Sequence, residues 1–253
     1  MTFYNLSKPQ RKKKVAEIKG DLLFGIEKNN PQILITYFSD EDTYIRKVAY
    51  QAVGKIYQEK ENADKKIINI LNKLLKDKHH HIRQTVINAA GEIGMKDFEV
   101  VQSLFDRGLF DEHHTVRNAV IGSVKKMGKK NPKPILTWAK QYLHHPDKEI
   151  RREICHGIEL RGRTHPRDIL PLLKELQHDK TARVRDTLVH VLGQISYKKG
   201  CLETVIAELN VWKNIELTRD AVEEIIDVHE RYKDFAVLSQ KQAIQYIQKN
   251  FRN

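Results

Sequence analysis

Asp179-Lys180-Thr181-Ala182-Arg183-Val184-Arg185-Asp186-Thr187-Leu188-Val189-His190-Val191-Leu192 decides the fold, because its pattern recurs along the chain. An apolar residue followed by arginine stands at Ile45-Arg46, Ile82-Arg83, Val116-Arg117, Ile150-Arg151 and Val184-Arg185. Arg219 continues the series behind Thr218. The spacings are 37, 34, 34, 34 and 34 residues. Asp40, Asp77, Asp111 and Asp179 lie six positions before their arginines. Three residues after each arginine comes Ala49, Val86, Val120, Ile154, Leu188 or Val222, and seven after comes Val53, Ala90, Val124, Ile158, Leu192 or Ile226. Offsets of 3 and 7 share one helical face, so each arginine opens a helix that buries one stripe.

A second helix precedes each of these, over about 31–38, 63–75, 98–110, 132–143, 166–176 and 202–212. Pro132 and Pro166 suit a first helical turn, where the missing N–H costs nothing. A two-helix unit cannot cover its own stripe, whereas stacked neighbours make a continuous core. The expected repeats are about 31–60, 61–96, 97–130, 131–164, 165–199 and 200–234, with capping helices near 10–28 and 238–251, in a single domain over 1–253. The period is also the tetratricopeptide length, but that family's Trp/Leu-Gly/Tyr and late-Pro pattern is absent. The Asp-(x)5-Arg arrangement resembles HEAT repeats, in which Asp and Arg tie neighbouring units together. The expected fold class is all-α, a right-handed α-solenoid of about six HEAT-like helical hairpins with capping helices, and the resemblance puts the six arginines in structural ties.

The 253 residues hold 45 Lys+Arg against 33 Asp+Glu, a net charge of +12. Residues 1–200 carry 38 bases and 24 acids, whereas 201–253 carry 7 and 9. A basic body points to a polyanionic partner. A hydrophobic fraction of 40% supports a core. No apolar run reaches the ~18–20 residues of a membrane span, and the opening Met1-Thr2-Phe3-Tyr4-Asn5-Leu6 has no basic stretch leading into an apolar one. Cytoplasmic placement, no membrane and a monomer are the expectations. Two cysteines, Cys155 and Cys201, form no ligand pair or disulfide framework.

If offsets 3 and 7 face inward, offsets 1, 5, 8 and 12 face out. They give Lys47, Gln51 and Gln58; Gln84 and Asn88; Asn118, Lys125 and Lys129; Arg152, His156 and Arg163; Asp186, His190 and Tyr197; then Asp220, Glu224 and Asp227. This wall is basic and amide-rich through four repeats and then turns acidic. Lys and Arg release counterions from a phosphate backbone, and amides add hydrogen bonds. Lys12 and Lys13, in the run Lys8, Arg11, Lys12, Lys13, Lys14 and Lys19, offer a second basic cluster. The other reading is a solvated helix face on a protein-interaction scaffold.

Trp138-Ala139-Lys140, then Asp147-Lys148-Glu149-Ile150-Arg151-Arg152 with Ile154, resembles the W-x-K … [WV]-[LIV]-R-R-x-[AS]-I stretch of the DNA alkylation-repair family, the HEAT-like alkylpurine DNA glycosylases of the AlkD and AlkC types. Val116-Arg117-Asn118-Ala119-Val120 through Asn131-Pro132 is similar to the V-R … K-x-x-P stretches of AlkC-type members. The resemblance is sharpest over residues 111–200. It implies a solenoid that cradles duplex DNA by its backbone, with Arg152 in the groove. His190 stands where AlkD-type members carry a tryptophan that walls the lesion. Their W-x-x-x-D motif has no counterpart around Phe105–Asp111, where the acids are Asp106 and Asp111 and no Trp precedes them by four. Base excision is therefore left open, with Asp106 and Asp111 as its only candidates.

His79-His80-His81, His113-His114, His144-His145 and His178 fall in the turns before the second helices. Turn histidines seldom converge with a supporting outer shell, so no metal is expected. With no Gly-rich phosphate loop, no H-E-x-x-H and no Cys-His nucleophile, no cofactor is expected either.

Overall fold

The apolar stripes are covered where the spacing puts them. Ala49, Val53, Val86, Ala90, Val120, Val124, Ile154, Leu188 and Leu192 are all fully buried. The computed structural model describes residues 2–60 and 64–252, and among these it contains fifteen α-helices, one short 3-10 turn at Phe3–Asn5 and no strand. The helices fall into two compact units, Met1–Asn131 and Pro132–Asn253.

In the first unit α1 (Lys8–Glu27) is followed by the hairpins α2 (Pro31–Phe38) with α3 (Thr43–Glu59), α4 (Asp64–Leu74) with α5 (His80–Gly94), and α6 (Gln102–Gly108) with α7 (His114–Lys130). The expected start of the α4 helix at residue 63 lies outside the described residues. α3, α5 and α7 pack side by side in one layer, and α1 extends that layer beside α3. Ser7 caps α1 in a reciprocal capping box with Gln10. The layer is tight because Gly54 and Gly91 remove a side chain where α3 meets α5 and α5 meets α7. A Cβ on Gly91 would lie 2.5 Å from Ser123 Oγ, and one on Gly54 would lie 2.5 Å from Glu92 Cβ.

In the second unit α8 (Pro132–Lys140) pairs with α9 (Lys148–Gly157) and its short continuation α10 (Glu159–Gly162). Then come α11 (Pro166–Lys174) with α12 (Ala182–Gln194), α13 (Cys201–Leu209) with α14 (Ile215–Arg231), and α15 (Gln240–Asn250). α9, α12 and α14 form one layer; α11, α13 and α15 form the other.

The repeated arginine ties each turn to its helix. Nη1 of Arg83, Arg117, Arg151 and Arg185 donates to the carbonyl oxygen six residues upstream, at 2.9, 2.6, 2.7 and 2.6 Å, and Arg46 does the same to Asp40. The repeated Asp serves the preceding repeat. Arg83 grips Asp111 through two bonds of 2.8 and 2.9 Å, and Arg151 grips Asp179 at 2.5 and 3.0 Å. Burial pushes both carboxyls up, but the guanidinium and a turn amide outweigh it and hold each below the usual carboxylate range.

Repeat six corrects the sixth member of the series. Arg219 is exposed, and Thr218 is buried in the structural arginine's place. The buried stripe is Ala221, Ile225 and Val228, while Val222 and Ile226 are only half-buried. The register has slipped by one residue. Without a guanidinium the turn is held by Gln177, whose Oε1 accepts from the Lys213 and Asn214 amides at 2.8 and 3.2 Å.

Candidate functional site

In the first unit the exposed side of the α3–α5–α7 layer begins with residues one position after each arginine. Lys47, Gln51, Lys55 and Gln58 are exposed along α3, at spacings that keep them on one face. Gln84 and Asn88 are half-buried on α5; Asn118 and Lys129 are exposed on α7, with Lys125 half-buried. Lys126, also on α7, reaches across α5 to within 5.5 Å of the Tyr50 ring on α3, and its Nζ lies 3.7 Å from Glu92. Lys126 thus spans the open side of α5 and lies between Glu92 and the α3 ring. Burial, then the Glu92 charge, raises the Tyr50 phenol above its ordinary pKa. Lys47, Lys55 and Lys129 form no ion pair among the described residues. Lys12 and Lys13 are exposed on α1; Lys8, Arg11, Lys12 and Val15 line a hollow of about 440 Å³ there.

The second unit treats its charges differently. Arg152 Nε lies 2.9 Å from Glu149 and its Nη2 3.7 Å from Glu153, while Arg183 approaches Glu149 at 3.2 Å. Arg152, His156, Arg183, Asp186, Thr187 and His190 line a hollow of about 240 Å³. Beside it Glu159, with its side chain 2% exposed, accepts from Arg163 on Oε1 at 2.5 Å and faces His156 Nε2 across 3.0 Å with Oε2. Arg163 also donates to Gln194 Oε1 at 2.7 Å and to the Tyr197 hydroxyl at 3.3 Å. His190 Nδ1 lies 3.5 Å from Glu224, and the His156 and His190 rings meet edge to face at 5.9 Å.

Three expectations need correction. Tyr197 does not face out: it is 5% exposed and stacks on Tyr232 at 5.4 Å. Offset 8 is not an outward position in four repeats, where Gly54, Gly91, Glu159 and Gly193 occupy it and are buried; Lys125 there is half-buried, and Asp227, in the slipped repeat six, is exposed. Glu224 points toward His190 because of the slip in repeat six. The excision candidates lie off the second-helix layer's open side: Asp106 is on α6, and Asp111 is tied to Arg83. Cys155 is buried, and burial raises its thiol far above the ordinary value, so it is no nucleophile.

Glu159, Gln194 and Lys55 were missed by sequence reasoning. Glu159 carried a usable signal, since it stands three residues after His156 and four before Arg163, the helical pairing distances.

Residues 30–125 match the family model for HEAT repeats. AlkD2 from Streptococcus mutans has a similar structure, with a TM-score of 0.55 and 18% identity, covering 84% of this chain and 97% of that one. So does smu.31 from Streptococcus mutans UA159, with a TM-score of 0.50 and 19% identity, covering 83% and 96%. No curated protein sequence matches the chain. The fold is all-α, with helices packed as repeats that match HEAT repeats over residues 30–125, and it is similar to the folds of AlkD2 and smu.31 over most of its length. No helix among the described residues is long and apolar enough to cross a membrane.

Proposed function

We propose that this protein binds duplex DNA through the phosphate backbone, with the open face of the α3–α5–α7 layer in the first unit as the principal contact. The observation that carries the reading is the set Lys47, Lys55 and Lys129, exposed and in no ion pair among the described residues, with Gln51, Gln84, Asn88 and Asn118 interleaved. Lysines without partners release phosphate counterions without first breaking an ion pair, and amides supply hydrogen bonds that do not depend on base sequence. Lys12 and Lys13 extend the basic surface along α1. Arg152, His156, Arg163 and His190 play a lesser part, since carboxylates already hold them. The resemblance to AlkD-type structures supports a nucleic-acid role by analogy of fold. Excision is not proposed, because Asp111 is engaged by Arg83; no alkylpurine is expected to leave methylated DNA.

The test is a titration of a duplex across salt concentrations. The wild type should show a steep log–log dependence of affinity on salt. Lys47→Glu/Lys55→Glu/Lys129→Glu should flatten that slope by about 2–3, and Arg152→Ala should change it by less than about 1. A flat wild-type slope would sink the reading. Exposed Val211, Ile215, Phe235 and Val237 favour a protein-binding scaffold as the second reading.

A further inference from the structure

We propose that His156, His190 and Glu159 form a binding site for a divalent transition metal of the Zn²⁺ class, with His156 Nε2 and Glu159 Oε2 as two ligands and a ring nitrogen of His190 as the third. One ligand atom from each of the three residues lies within 4.8 Å of the others. Zn–N and Zn–O bonds of about 2.0–2.2 Å place tetrahedral ligand atoms roughly 3.3 Å apart. The 3.0 Å between His156 and Glu159 already meets this. The remaining closure falls to two imidazoles whose side chains are 37% and 44% exposed, and which therefore have room to turn.

The backbone explains the convergence. The second helix of repeat four breaks at Ile158, between α9 and α10, and Glu159 opens the short continuation. His156 and His190 share offset 5 in adjacent repeats, so they come from neighbouring helices α9 and α12. Glu159 stands at offset 8, where repeats one, two and five carry Gly54, Gly91 and Gly193, so its carboxylate enters a space those three repeats leave without a side chain. Buried carboxylates are rare unless engaged. An outer shell is also present. Arg163 holds Oε1 of Glu159 and leaves Oε2 on the His156 side. Glu224 sits 3.5 Å from His190 Nδ1, the kind of partner that fixes the tautomer of a metal-bound imidazole and leaves Nε2 as ligand. Two imidazoles and one carboxylate suit Zn²⁺ or Co²⁺ better than Mg²⁺ or Ca²⁺, which prefer all-oxygen shells. The half-exposed rings leave a fourth position open to water. This site is independent of the lysine face proposed for DNA.

The test uses the full chain, stripped with chelator and titrated with Co²⁺ while visible absorption is recorded. One equivalent should develop the intense ligand-field bands of a four- or five-coordinate ion, and Zn²⁺ should displace it. His156→Ala and His190→Gln, each checked for native helicity by circular dichroism, should weaken binding tenfold or more. His80→Ala/His113→Ala should leave it unchanged, as should Lys47→Glu/Lys55→Glu/Lys129→Glu. The absence of such bands overturns the assignment. So does binding that survives both His156 and His190 variants, or that disappears only with the turn histidines. Since no DNA is present, failure here leaves the nucleic-acid reading untouched, and failure there leaves this one.

Discussion

The two units use one repeat plan and spend their charge in opposite ways. The first holds 24 bases against 16 acids, the second 21 against 17. More important is where the acids lie. In the first unit the open face carries lysines and amides; half-buried Glu92 pairs with Lys126, and Glu59, whose carboxyl feels the Lys55 charge, is paired with Lys19 of α1. In the second, Glu149, Glu153, Glu159 and Glu224 sit beside Arg152, Arg163, Arg183 and Arg231. A cation already gripped by carboxylates has little left for a phosphate, while a hydrated lysine loses only counterions on binding one. Residue counts along a helix face therefore misjudge a binding surface unless the acids of neighbouring helices are counted too.

The largest effect that separates the units is expected at Glu159. Glu159→Ala strands Arg163 beside Gln194 and Tyr197 with no counter-charge. Removing one partner of a buried pair costs about 3–5 kcal/mol, and because the Arg163 side chain is 30% exposed the expected loss is nearer 2–3 kcal/mol, read by denaturant titration. A loss under half a unit of kcal/mol, in the sense of ~0.5 for a surface change, would show that the second unit's face is not glued by its charges.

A smaller difference should appear on acidification. Burial, followed by repulsion from His113 and neighbouring bases, lowers the affinity of His80 for a proton; burial and the Arg46 charge do the same for His81. His80 also stacks on His113 at 3.9 Å. Since both hold protons less tightly folded than unfolded, the unfolded chain takes up more protons as pH falls through about 6.5, and stability drops with it. His80→Gln/His81→Gln should shrink the loss of Tm between about pH 7.5 and 5.5. An unchanged loss would assign the effect elsewhere, with buried His229 of the second unit, whose proton affinity is lowered by burial, as the next group to replace.

The smallest effect is expected at Lys47. Lys47→Ala touches no ion pair, so its stability should stay within about 0.5 kcal/mol of the wild type, even as DNA affinity at low salt declines. A large fall in Tm would mean that this lysine has a structural partner and would weaken the contrast between the units.

Much of the fold was legible because it rests on a short local rule. Arg83, Arg117, Arg151 and Arg185 can each reach the carbonyl six residues back, so their spacing in the chain is also their spacing in space. The offsets 3 and 7 identified the core in five repeats. They failed in the sixth, where Arg219 imitates the series while buried Thr218 fills the place, because a one-residue slip changes the inward face without disturbing the helix itself.

The candidate site was legible only by half. Lys47, Asn118 and Lys129 are exposed as their offsets predict, since position on a helix depends on the helix alone. Whether Arg152 and Arg163 remain available depends on which side chains the same and adjacent helices bring beside them, and Tyr197 is covered by Tyr232 from thirty-five residues further on. The periodicity alone thus determined the helices, their pairing and, in five repeats, their buried stripes, for each follows from backbone geometry repeated every turn. Packing decided which cations are spent, and brought His156, Glu159 and His190 together, because contacts between layers depend on the register and curvature of neighbouring helices, which no single helix encodes.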